Sequence, residues 1–476
     1  MILKISFIFI AFCFCKKITN ASSFEKETVH DFLDHPHFKQ VLTDFIDAGH
    51  DLIMGKEEKE ILMLQIMFKN NEYIHASMHS GMAKFLVEYM NSKNPDLQFQ
   101  ALKAVSKAAP LNVQYAEEIV DEGAVKVLIK NLHSKNPKIV VESFKAIGSI
   151  IFKNPELRDQ FLKFGLAEHL VEFVLLETPK EVLIQITHII MLLALNQEKT
   201  PISKETVKTL LPAFRDLIHD SNPKIVKDIT WALVFLTDGG NKQYNINFKK
   251  ETVEDLFKLV FDGNYSIRSG AIGVISNIIN GSNAQTKMAL DNGILKLLPE
   301  LLMQENDPLK EDPPTIINDS LLILEKLFAA SDTQAKAIFD TGIMPLIIYH
   351  LARGSQEERH EAAWVVSAAT SVGNKTHISK MVDSNVVIPL CKVLIEANST
   401  SANLVEVILK GLNEILKKSE ADRIEEIYQS LEKCGGIEIV AFVGEHGNDM
   451  TTEFADKILR TFCSAEIEAV CKASAS

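Results

Sequence analysis

A helical pattern returns every 41 to 50 residues from near residue 60 to near residue 465, and few folds are open to a chain with that period. The stretches QALKAVSKAA, ESFKAIGSII, QITHIIMLLA, DITWALVFLT, SGAIGVISNII, SLLILEKLFA, EAAWVVSAAT and VILKGLNEIL align on one column. Its members are Lys103, Lys145, His188, Trp231, Gly273, Ile323, Trp364 and Lys410, at steps of 42, 43, 43, 42, 50, 41 and 46. A unit this short cannot bury an apolar face alone, so copies must stack into one continuous core.

A second column keeps the same register. SGMAKFLVEYM, EGAVKVLIKNL, FGLAEHLVEFV, NGILKLLPELL, TGIMPLIIYHL and CGGIEIVAFVG each place a glycine before an apolar helix. Gly81, Gly123 and Gly165 are 42 apart, and Gly293 and Gly342 are 49 apart. Glycine supplies positive φ at low cost, as a sharp turn between helices requires. Between Gly165 and Gly293 the column lacks glycine, but ETVKTLLPAF and ETVEDLFKLV, 46 apart, keep the period. Each repeat therefore reads as one short and two longer helices. The expected class is all-α, an armadillo-repeat right-handed superhelical solenoid of three-helix repeats whose function lies on the concave face. A generic helical bundle is the alternative, and two columns in step argue against it.

The chain has 476 residues, 46% of them hydrophobic, enough for one elongated array in place of the several domains its length would allow. Its net charge of −13 opposes nonspecific nucleic-acid binding, which needs Lys and Arg to neutralise phosphates, and suits a basic protein or peptide. Cys13, Cys15, Cys391, Cys434, Cys463 and Cys471 have no metal-ligand or disulfide-framework spacing. No CxxC, HExxH, P-loop or glycine-rich nucleotide motif occurs, and no carboxylate pair is singled out for acid–base work. No enzyme, cofactor, metal or small-molecule substrate is expected.

Residues 1–23 carry an apolar run, Ile5–Cys15, after Lys4, then Lys16, Lys17 and a small-residue stretch. This pattern reads as a signal peptide, a misassigned start or a small apolar tail; the run is too short for an ordinary membrane span. Six Asn-x-Ser/Thr sites, at Asn20, Asn264, Asn280, Asn318, Asn374 and Asn398, carry little weight, because turns favour Asn and Ser anyway. Residues 24–60 hold 10 acidic and 4 basic residues and read as an acidic segment capping the array. His35 and His37 lack a third ligand at suitable spacing. The array spans 61–468, with a proline-bearing loop at 305–314 and a frayed tail at 469–476.

With the columns aligned, PKIVKDITWALVFLTDGGNKQ, GAIGVISNIINGSNAQTKMALDNGIL, HEAAWVVSAAT, VIPLCKVL and LEKCGGIEIVAFVGEHGNDMTTEFADKILRTF resemble importin alpha, the armadillo adaptor of nuclear import. The likeness spans the array, and the last block resembles the family's final repeat, which contacts an export receptor. The resemblance implies a nuclear and cytoplasmic adaptor that binds cargo bearing a basic import signal. In that family each repeat projects a Trp and, four residues on, an Asn into the groove. Trp rings stack on Lys and Arg stems, Asn amides hold the peptide backbone, and acidic residues neutralise the cargo's lysines.

Carried onto this sequence, the main site is eroded. Trp/Asn becomes Lys103/Lys107, Lys145/Ser149 and His188/Leu192, and the Asp that meets the key lysine falls at Lys153. The main groove is therefore expected to reject an ordinary basic signal. In the second half Trp231 is kept with Phe235, Asn277 is kept beside Gly273, and Asn283 stands for an Asp. Trp364 is kept with Glu361, its partner Asn being Ala368. Ile323/Leu327 replace a further Trp/Asn pair and predict an apolar groove floor. The expected cargo-binding set is Trp231, Asn277, Asn283, Glu361 and Trp364; packing between repeats is the rival role for the two tryptophans. The partners the resemblance implies are cargo proteins and, through residues 425–466, the export receptor. Residues 1–60 have no basic run of the kind that binds importin beta, which leaves that partnership without its usual means. A secreted or lumenal armadillo-like scaffold is the alternative if residues 1–23 are a signal peptide.

Overall fold

The computed structural model describes residues 56–474 apart from 80, 153, 196–198, 239–242, 245, 247, 304–314 and 399–400. Expectations placed on residues 1–55, on Lys153 and on the 305–314 loop lie outside the described residues. The chain divides into two compact units, Met1–Phe235 and Leu236–Ser476.

In the first unit α1 (Lys56–Met67) leads into three three-helix repeats. They are α2 (Asn71–His79), α3 (Met82–Met90) and α4 (Pro95–Ala108); α5 (Val113–Asp121), α6 (Ala124–Asn131) and α7 (Pro137–Ile151); and α8 (Pro155–Lys163), α9 (Leu166–Leu175) and α10 (Lys180–Ala194). The pair α11 (Lys204–Leu217) and α12 (Pro223–Thr237) follows. The second unit begins with another pair, α13 (Lys250–Asp262) and α14 (Tyr265–Ile279). Its triplets are α15 (Asn283–Asp291), α16 (Ile294–Leu302) and α17 (Thr315–Ala330); α18 (Asp332–Asp340), α19 (Met344–Arg353) and α20 (Gln356–Val372); α21 (Lys375–Asp383), α22 (Val387–Ala397) and α23 (Ala402–Lys418); and α24 (Ala421–Lys433), α25 (Gly436–His446) and α26 (Asp449–Ser474). The last helix continues past residue 468. Among the described residues two repeats thus show two helices in place of the expected three. They are the two in the stretch where the glycine column is empty.

The glycine column does what its chemistry predicts. Gly81, Gly123, Gly165, Gly293, Gly342 and Gly435 all take φ between 72° and 95°, each at the turn before a second helix. Where the column has no glycine before α22, Asn385 takes φ 58°, a conformation asparagine tolerates best among residues with a Cβ. A Cβ at Gly123 would meet nothing within 4 Å, so only the backbone opposes a side chain there. Gly123→Ala is expected to destabilise the first unit by about 1–2 kcal/mol, read from its urea midpoint, and Asn385→Gly is expected to cause no loss.

Third helices begin on a repeated device. Asn94, Asn136 and Asn222 each accept a backbone N–H from two residues on, at 2.9, 3.1 and 3.0 Å, with proline at the first helical position. Asn154 starts α8 the same way. The side chain satisfies an orphan donor, and proline lacks the N–H that would have been another.

Third helices stack on one another: α1, α4, α7 and α10 in the first unit, and α14, α17, α20, α23 and α26 in the second. Ala101, Leu102, Phe144, Ile147, Phe328, Ala362 and Ile408 are among the buried residues between them. Each third helix is packed on most sides and keeps one partly exposed stripe. These stripes form a ladder face in each unit.

Candidate functional site

On the ladder of the first unit Lys103, Lys145 and His188 of the expected column are exposed, and several side chains there are engaged within the protein. Lys145 pairs with Glu142 at 3.0 Å. Lys107 donates its ammonium to the carbonyl of Phe68 at 2.8 Å, and Ser149 donates to the carbonyl of Ser106 at 3.1 Å. These carbonyls lie in the last turn of the preceding third helix or just beyond it, where carbonyls lack intrahelical partners. The positions that would hold an Asn amide for a peptide therefore stitch one repeat to the next. Leu192, the third such position, is buried in the core. His188 is exposed, with Nδ1 3.9 Å from Asp228. Burial pushes the Asp228 carboxyl above its usual range, against the pull of His188, Lys227 and Thr187. Trp231 is half-buried on α12, its ring 6.0 Å from that of Phe235.

The other four expected residues lie in the second unit. Asn277 donates to Thr237 Oγ1 at 3.1 Å. Asn283 is exposed at the start of the short helix α15, off the ladder helices. Glu361 and Trp364 share the half-buried stripe of α20, one turn apart. The structure thus brings Glu361 and Trp364 together, puts Asn277 two ladder helices away, and leaves Asn283 on a different kind of helix.

One expectation is overturned. Ile323 and Leu327 do not floor a groove: both are fully buried. The stripe of α17 carries Asp319, Leu322, Glu325 and Lys326 instead. The true register is one residue earlier, with Leu322 standing 42 residues before Trp364. Four consecutive apolar residues, Leu321 to Leu324, hid the outward one, and no Trp marked it.

The corrected register gathers carboxyl groups. Burial, and next the charge of Glu361, push the Asp319 carboxyl up to about 7. Glu361 is itself raised, first by burial, then by Glu325 and Glu357, with Lys326 pulling the other way. Lys326 sits 2.8 Å from Glu325. Carboxyl groups crowded at a half-buried face, with an indole one turn from Glu361, have the chemistry that can receive a cation on an aliphatic stem.

Comparison with known proteins bears on what such a ladder is for. Importin subunit alpha-1a of Oryza sativa subsp. japonica is 27% identical over 266 residues, 55% of this chain and 49% of that protein. This chain resembles importin alpha. Importin subunit alpha-4 of Arabidopsis thaliana is 26% identical over 277 residues, 57% of this chain and 50% of its own. A shorter stretch of 96 residues is 31% identical to importin subunit alpha-3 of Caenorhabditis elegans. The chain spans about half the length of the importin alpha relatives it matches over the longer stretches. No family model matches it. Among solved structures, an engineered protein from the Northeast Structural Genomics Consortium superposes with a TM-score of 0.70 at 20% identity, covering 88% of this chain and 98% of that one. A set of computationally designed armadillo repeat proteins for modular peptide recognition matches with a TM-score of 0.44. The fold is an armadillo solenoid.

Proposed function

We propose that this chain is a protein-binding adaptor of the importin alpha type that takes cationic peptide segments of cargo on the ladder of its second unit. The observation that carries this reading is the Asp319 and Glu361 carboxyl pair, with Trp364 one turn from Glu361 on α20. A lysine or arginine there would lay its stem on the indole and its charge between the carboxylates. Asn277 is the further candidate contact on this ladder, with Asn283 on a short helix of the same unit; Trp231, on the first unit, is a candidate contact taken by itself. The first unit, with Lys103, Lys107 and Lys145 on its ladder, repels the same cargo. The likeness to importin alpha supports movement between cytoplasm and nucleus, with residues 425–466 as the export-receptor surface. No reaction or cofactor enters this reading.

A fluorescein-labelled basic import peptide titrated with the full chain tests it. Trp364→Ala is expected to weaken binding about tenfold, and Glu361→Gln by a similar factor. Lys145→Ala should leave affinity unchanged or raise it. Affinity that survives Trp364→Ala and Glu361→Gln but responds to first-unit substitutions would overturn the assignment.

A further inference from the structure

Away from both ladders, the first unit assembles three side chains that the cargo reading does not use. His133 lies in the turn after α6, where its N–H closes on the Lys130 carbonyl. His169 and Glu172 lie one turn apart on α9, whose start is fixed by Gly165. One ligand-type atom from each of the three comes within 4.8 Å of the others. The two imidazoles meet edge to face with centroids 4.8 Å apart. His169 Nδ1 is 3.6 Å from Glu172 Oε2 and is buried with no hydrogen-bond partner. A buried ring nitrogen in that condition calls for an explanation, and an ion is one of the few available.

His133 and Glu172 are exposed and His169 is half-buried, with an aromatic pair beside the first. The Phe173 ring stands 6.2 Å from that of His133, and Phe144 meets Phe173 edge-on at 5.5 Å. This pair gives the His133 ring an apolar neighbour on one side. A tetrahedral ion bonded at about 2.0–2.1 Å sets its donors roughly 3.3 Å apart, which small side-chain rotations of these residues reach.

We infer that His133, His169 and Glu172 form a binding site for a borderline divalent transition ion, zinc above all, that clips together the second helices of two neighbouring repeats. Two imidazoles and one carboxylate suit zinc and leave one position for water. Calcium and magnesium, which require oxygen donors, do not fit. The ion joins the turn after α6 to α9 and so stabilises the first unit.

The test is a titration of the full chain, free of any histidine tag, with zinc against a chromophoric chelator. The control variants are His35→Ala/His37→Ala and Cys434→Ser/Cys463→Ser. One equivalent is expected to bind, with affinity falling by more than about tenfold in both His133→Ala and His169→Ala, a smaller loss in Glu172→Gln, and no change in either control. Circular dichroism without metal checks that each variant is folded. X-ray absorption of the zinc form should show two imidazoles in a nitrogen and oxygen shell. Absence of binding, undiminished binding in His169→Ala, binding lost only in a control variant, or sulfur in the shell would each overturn the site.

Discussion

His350→Ala is expected to destabilise the second unit by about 3–5 kcal/mol, with loss of the upper part of its urea transition. The side chain is 4% exposed and its partner Glu358 only 1%. Nδ1 lies 3.0 Å from Glu358 Oε2, and Nε2 lies 2.8 Å from the carbonyl of Leu302, the last residue of α16. A carboxylate and a carbonyl both accept, so the two contacts favour the imidazolium over the neutral ring. Burial alone would push its pKa down, but the Glu358 bond, the Leu302 carbonyl and the Glu358 charge prevail and raise it. Alanine leaves a buried carboxylate without its counter-ion and a helix end without its cap. Gln, which can donate to one of the two, should recover part of the loss. The stabilisation is complete below the ordinary histidine value near 6.5 and disappears as pH climbs through the higher folded value. Urea midpoints at several pH values between 5 and 9 check both statements.

Asp319→Asn should act in the opposite direction, stabilising the second unit at pH 8 and leaving it little changed at pH 4. The folded carboxyl titrates near 7, above its ordinary value of 3.8. Between those values the folded state holds a proton that the unfolded state has released, so stability falls as pH rises through that interval. The full span corresponds to a cost on the order of 4 kcal/mol at alkaline pH, and removing the charge removes the cost. Comparison of wild type and Asp319→Asn midpoints at pH 4 and 8 measures it; equal pH dependence in the two would refute the assignment. The same group links pH to cargo. A peptide lysine beside Asp319 and Glu361 favours their charged forms, so binding should tighten from pH 6 to pH 8 and release protons.

The repeat and its turns were legible because they rest on backbone requirements. A glycine at positive φ has few substitutes, so Gly81 through Gly435 announced the turns, and among the described residues Asn385 escaped. The two-helix repeats were written as gaps in that column but needed coordinates to read. Trp364 and Glu361 were legible as a pair because helical spacing puts them on one face. Asp319 was not, since its neighbour comes from a helix 42 residues away and its register lay inside an apolar run. The tasks of Lys107 and Ser149 were equally hidden, because a carbonyl acceptor leaves no mark in the residue that supplies it.

Those carbonyl contacts recur along both units. Asn131 reaches the Met90 carbonyl at 2.9 Å, Arg158 that of Thr200 at 2.9 Å, and Lys418 those of Thr370 and Ser371. In most of them a later repeat supplies the cork for an earlier helix. Trimming the array from its C-terminal side would therefore uncork the repeat left behind, and a shortened chain should fray by more than the material removed. Fragments meant for binding work need a polar capping repeat at the cut, not merely a cut between repeats.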